Sequence, residues 1–177
     1  RVVPVTIHIP ISEVPAALTA EALEQTLRIT HRGLMQNFGL QNPRIAVAGL
    51  NPHAGENGAF GTEDSLIEGA VKKSIEAFNQ NNYSLDKEKF GSSIYSKYKP
   101  SGQWNPYPHR DVVKRQETLQ IKGPLSADSV FKRAHDGDFD LTVAMYHDQG
   151  LIPIKFAEPI LAVNVTFGLP FVRTSPD

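Results

Sequence analysis

The chain has 177 residues, 40% of them hydrophobic and 21% charged, with a formal net charge of −1; this is an ordinary globular make-up with room for a real core. No basic excess points to a nucleic-acid partner, and no apolar run approaches the roughly 18 residues of a membrane span. Cysteine is absent, which excludes a disulfide framework and a thiolate nucleophile, leaves any metal to His, Asp or Glu, and fits the cytoplasm.

"VVPVTIHIP" alternates, with Val3, Val5, Ile7 and Ile9 on one face and Thr6 and His8 on the other, and predicts a strand closed by Pro10. Leu23, Leu27, Leu34 and Phe38 recur at helical spacing, so a helix is expected over about 19–38, with Thr19 as N-cap, Glu21 in the first turn and Gly39 as the stop. "RIAVAGL" (44–50) is almost wholly apolar and suits a strand covered on both faces of a parallel sheet. A second amphipathic helix is expected over 62–80, with Thr62 as N-cap and a stripe of Leu66, Ile67, Ala70, Val71, Ile75 and Phe78. Residues 80–115 are polar and turn-rich without a clean period, and read as a surface excursion or insertion anchored by Phe90, Trp104 and Tyr107. Regular structure resumes with a short strand at "LQIKG", a helix over 127–135 and an apolar strand at 140–147. A turn at "DQGL" and apolar segments at 151–156 and 160–166 follow. The chain starts at Arg1 directly in an apolar run and stops at Asp177, so it reads as a piece of a longer protein.

Alternating strands and helices predict an α/β fold with a mainly parallel sheet flanked by helices, in which ligands collect at the carboxyl ends of the strands. His8, His53 and His147 each fall at or just beyond such an end. Singly, each reads as a hydrogen-bonded turn residue. Together, in a chain without cysteine, they can converge on one divalent ion with coordination positions left open. His31 and His135, on helices, and His109, in the polar stretch, read as surface residues. Asp148 can orient an imidazole, act as a base or cap a turn, and Asp128 in "GPLSADS" has the same ambiguity. Gly55, Gly58 and Gly61 in "GENGAFG" do not form the dinucleotide fingerprint and are a weak signal for close approach of a cofactor to the backbone. Lys155, Asn164 and Arg173 interrupt apolar segments; they suit a phosphate or carboxylate together and surface contacts singly.

"TIHIP", "GLNPHAGENGAFGTED", "GPLSAD", "AMYHDQGLIPIKF" and "VNVTFGLPFVRTS" closely resemble the 4-hydroxythreonine-4-phosphate dehydrogenase family of pyridoxal phosphate biosynthesis, over nearly the whole chain except about 80–115. The resemblance implies an isopropylmalate-dehydrogenase-like fold of two α/β lobes around a cleft, with residues 1–177 forming a central and C-terminal portion. It also implies NAD as cofactor, a divalent metal (Zn, Mg or Co) held by His8, His53 and His147, and a homodimer with the site at the subunit interface. Lys155, Asn164 and Arg173 match the family's substrate-binding residues, and Asp128 and Asp148 its proton-moving acids. The implied reaction is oxidation and decarboxylation of 4-phosphohydroxy-L-threonine to 3-amino-2-oxopropyl phosphate. Two departures stand out: a substrate-binding His-Thr pair lies upstream of the matched region, and the stretch completing the other lobe is missing. Rival readings are a relative acting on a threonate phosphate or a carboxylated aromatic dihydrodiol, a metal hydrolase, and a non-catalytic metal-binding lobe.

Overall fold

A computed structural model describes residues 1–80, 119–157, 162–168 and 173–176. The polar stretch, with its expected anchors and His109, therefore falls outside the described residues apart from Gln80. Four parallel strands form the main sheet: β1 (Val2–Pro4), β2 (Arg44–Ala48), β3 (Gln120–Leu125) and β4 (Leu141–Ala144), in the order β1-β4-β2-β3. The expected mainly parallel α/β sheet is thus present.

Its helices follow from local chemistry. After a short first helix α1 (Val14–Ala17), α2 (Ala20–Gln36) starts where the Thr19 hydroxyl accepts the Ala22 amide at 3.1 Å. Helix α3 is Glu63–Asn79, α4 is Ala127–His135 and α5 is His147–Ala157. The alternation of β2 distributes its side chains. Ile45 and Val47 join Leu23, Leu27 and Leu34 of α2 and Ile67 and Val71 of α3 in one apolar cluster. Ala46 and Ala48 join Val130 of α4 and Phe139 in another. Both faces are covered, which is why β2 reads as a continuous apolar run. Arg44 and Asp140 join the starts of β2 and β4, with guanidinium contacts of 3.1 and 2.9 Å and a backbone amide bond of 2.8 Å to one carboxylate.

Three expectations need correction. The first strand is shorter than its alternation predicts: the amides of Val5 and Thr6 still donate to Ala144 and Met145, but His8 turns into the left-handed region at φ 53°. Ile7 and Ile9 are consequently 51% and 37% exposed. The segment "DQGL" is the first turn of α5, not a free turn, and Gly150 lets that helix lie against β1, where a Cβ would come 2.6 Å from Val2 Cγ1. His31 is buried between α2 and α3, edge-on to Phe78 at 5.4 Å, rather than on the surface. Burial pushes its pKa down to about 4.

A separate antiparallel ribbon, β5 (Val163–Thr166) with β6 (Arg173–Pro176), docks on α2 through Phe167. The Phe167 ring meets Phe38 edge-on at 5.9 Å and fills the space beside Gly33, where a Cβ would be 2.9 Å from it. Among the described residues no helix is long and apolar enough to cross a membrane.

Candidate active site

Because all four strands run the same way, the loops after them share one edge. After β1 and β4, the Thr6 hydroxyl donates to the Met145 carbonyl at 2.8 Å, which pins the turn into His8 against the end of β4. The rings of His8 and His147 then lie 5.6 Å apart, tilted by 40°. His147 Nδ1 is 2.7 Å from Asp148 Oδ1. With the proton on Nδ1 and donated to the carboxylate, Nε2 keeps a free lone pair. A cleft of about 240 Å³ opens here, bounded by His8, His147 and Asp148 and walled by Ile7, Ile9 and Ile11.

The loop after β2 is built differently. His53, Ala54, Gly55, Glu56 and Asn57 all adopt left-handed backbone angles, with φ between 42° and 77°. Only one of the five is glycine, and each of the others costs roughly 1–2 kcal/mol in this conformation. Buried Asp64, from the first turn of α3, anchors the two residues that lead into the loop and packs beside Gly55. Its carboxylate accepts the Leu50 amide at 2.9 Å, the Asn51 amide at 3.2 Å and the Asn51 side chain at 2.9 Å. The Thr62 side chain expected to cap α3 makes no such bond. The space left by missing side chains at Gly55 and Gly61 is filled by the protein itself: a Cβ would meet Asp64 at 3.1 Å in the first case and Asn51 at 2.5 Å in the second. Gly58 has nothing within 4 Å.

His53 is exposed, with its ring 6.3 Å from that of Phe60. After β3, the Ser126 hydroxyl donates to Asp128 at 2.7 Å. That bond, helped by the nearby charge of His53, holds the Asp128 carboxyl below the usual carboxylate range, so it is ionised at neutral pH.

The structure therefore brings His8, His147 and Asp148 together on one side of the edge, and His53 and Asp128 on the other. Among the described residues no three His, Asp or Glu side chains gather around one ion position. Lys155 lies about two turns along α5 from His147. Asn164 and Arg173 lie on the ribbon, where the pairs Asn164 with Ser175 and Thr166 with Arg173 put these four residues on one face. Asp64, Asn51 and Ser126 shape the site without having stood out in the sequence. The one signal for Asp64 was an acid in the first turn of a helix that follows a glycine-rich loop.

Histidines and acids at the carboxyl edge of a parallel α/β sheet define the class in which ligands bind beyond the strand ends. The family described as "Pyridoxal phosphate biosynthetic protein PdxA" matches residues 1–87 and 110–177, and the chain belongs to it. The unmatched residues 88–109 fall within the polar stretch. The 4-hydroxythreonine-4-phosphate dehydrogenases of Paracoccus denitrificans and Roseobacter denitrificans are each 42% identical over all of this chain. The chain spans 43% and 42% of their lengths, so it corresponds to a fragment of such a protein. Among solved structures, 4-hydroxythreonine-4-phosphate dehydrogenase from Klebsiella pneumoniae aligns with a TM-score of 0.70 at 34% identity, over 99% of this chain and 41% of its own. A terephthalate 1,2-cis-dihydrodiol dehydrogenase from Burkholderia xenovorans aligns at 0.65 and 25% identity, over 95% of this chain and 40% of its own.

Proposed function

We propose that the full-length protein is a cytoplasmic homodimer that oxidises and decarboxylates 4-phosphohydroxy-L-threonine to 3-amino-2-oxopropyl phosphate, using NAD and a divalent metal. The observation that carries this reading is the His8–His147 pair, with Asp148 on His147, at the strand edge of a chain from this family. Imidazole nitrogens suit Zn or Co, and Mg less well. Two of the three histidines meet within one chain, and His53 stands apart, so the fit requires His53 from a second copy to complete the set. When bound, the metal polarises the substrate's hydroxyl oxygen and NAD accepts the hydride.

The chain's own residues do the rest. Asp128, kept ionised by Ser126, or Asp148 takes the hydroxyl proton as the carbon-bound hydrogen leaves as hydride; carbon dioxide then departs from the β-keto acid. Asp148 also orients the imidazole of His147. Lys155, Asn164 and Arg173 hold the anionic groups of the substrate, with the planar fork of Arg173 suited to two oxygens at once. Of the three loop glycines, Gly58 alone leaves open space beside the backbone for a cofactor.

A second reading, oxidation of a carboxylated aromatic dihydrodiol, is favoured by the exposed apolar wall of Ile7, Ile9 and Ile11 beside the histidines. The test is a substrate screen on the full-length protein with NAD and added metal, followed by NADH absorbance. Phosphohydroxythreonine should give NADH and carbon dioxide in equal amounts. Turnover of dihydrodiols alone selects the second reading, and hydrolysis without NAD overturns both.

A further inference from the structure

The carboxyl edge of the sheet splits down its middle. The ladder between β2 and β4 ends at Val47 with Val143. Beyond it, the Gly49 amide turns to Leu125 beside β3, at 2.7 Å, while the Met145 carbonyl turns to the Thr6 amide beyond β1, at 3.2 Å. Each half of the site rides on one side of this split: His8 and His147 with β1 and β4, His53 and Asp128 with β2 and β3.

One side chain spans the gap. Gln149, in the first turn of α5, accepts the Met145 amide on Oε1 at 2.7 Å and donates from Nε2 to the Gly49 carbonyl at 2.8 Å. Flipping the amide would set donor against donor and acceptor against acceptor, so only one orientation satisfies both ends. The bond reaches Gly49, the residue that leads into the Asp64-anchored loop carrying His53.

We infer that Gln149 is a positioning residue that fixes the spacing between the His147 end of β4 and the His53 loop after β2. This rests on the proposed function for its catalytic consequence, but not for its structural one. Because His8 and His147 serve one site of the dimer and His53 of the same chain serves the other, the tether fixes the relation between the two half-sites that each chain contributes, and small displacements of groups held for reaction cost rate steeply.

The experiment compares full-length wild type with Gln149→Glu and Gln149→Met. Glutamate still accepts the Met145 amide but sets a charged oxygen against the Gly49 carbonyl, so it turns the bridge into a repulsion; methionine removes both bonds at similar volume without adding charge. In both variants, hydrogen exchange over 49–58 should rise about tenfold while 141–144 stays protected. Zinc affinity by calorimetry and kcat should each fall about tenfold, with the substrate KM within about twofold. Unchanged exchange over 49–58 overturns the inference, and so does faster exchange with zinc affinity and kcat intact. If neither variant folds, the amide supports the fold as a whole and the positioning role is wrong. A wild type that binds none of zinc, cobalt and magnesium refutes the proposed function instead, and exchange over 49–58 then decides the role of Gln149 by itself.

Discussion

Replacing Asp64 with asparagine conserves volume and isolates the charge that anchors the His53 loop. Two donors converge on Oδ2, the amide and side chain of Asn51, and one on Oδ1, the amide of Leu50. The best orientation of the substituted carboxamide keeps its oxygen toward Asn51 and sets its amino group against the Leu50 N–H. An unsatisfied buried donor costs about 1–3 kcal/mol, and each bond moved from a charged to a neutral acceptor loses about 1 kcal/mol. The sum is roughly 3–5 kcal/mol for a loop that keeps its shape. The loop can also relax in part: one non-glycine residue leaving the left-handed region returns roughly 1–2 kcal/mol. The expected outcome is therefore a global loss of about 2–3 kcal/mol in urea unfolding of the full-length protein. It should come with fast hydrogen exchange confined to 49–61 under native conditions. A variant within about 0.5 kcal/mol of wild type, with exchange over 49–61 unchanged, would show that the carboxylate does not hold the loop.

His31 makes stability depend on pH: its folded pKa of about 4 lies below the ordinary 6.5, so from pH 6.5 downward the unfolded chain takes a proton that the folded chain refuses. Stability should drop by about 2 kcal/mol between pH 7.5 and 5, and His31→Leu should flatten that slope in urea titrations; an unchanged slope removes His31 as its cause. Gly69 is exposed in the middle of α3, and a Cβ placed there would have nothing within 4 Å, so Gly69→Ala should stabilise by about 0.5–1 kcal/mol in the same titrations. Gly150→Ala should instead lower the melting temperature, by about 1–3 kcal/mol in stability, since its methyl would press on Val2 and Ala144. In steady-state kinetics, Arg173→Ala should raise the substrate KM by about one to two decades and Arg173→Lys should recover part of it; an unchanged KM in a folded variant removes Arg173 from the anion site.

Much of the frame was legible because local signals agreed with tertiary context. The Thr19 cap gave the start of α2 to the residue, although the helix ends at Gln36, short of the expected Phe38 and Gly39, and the unbroken apolar run of β2 announced a strand buried on both faces. Helix α5 was obscured by Gly150 and Pro153, and by Ile152 and Phe156, which are 65% and 91% exposed and so give no one-sided stripe. His31 could have been placed in the core, since it follows Leu27 by four residues on the buried face. The positions of the histidines at strand ends were readable from pattern alone. Their division into two groups was not, because it depends on β4 inserting between β1 and β2, and strand order leaves no local trace. The left-handed loop was less visible: in "HAGEN" Gly55 adopts that conformation freely and His53 and Asn57 more readily than most residues, but nothing local demands it, and the anchor at the loop's start comes from the next helix.

The parallel arrangement makes the paired histidines a strongly non-local feature of the molecule. The Thr6–Met145 bond beneath them spans 139 positions of chain, and closing so long a loop is opposed by entropy that no nearby contact offsets beforehand. A single cut anywhere between His8 and His147 would leave the two imidazoles on different polypeptides. Their proximity would then rest on Val2, Val3 and Pro4 staying paired with Thr142, Val143 and Ala144. Fraying those three pairs, with the Val5 and Thr6 bonds that extend them, would separate the histidines while the other three strands stayed together.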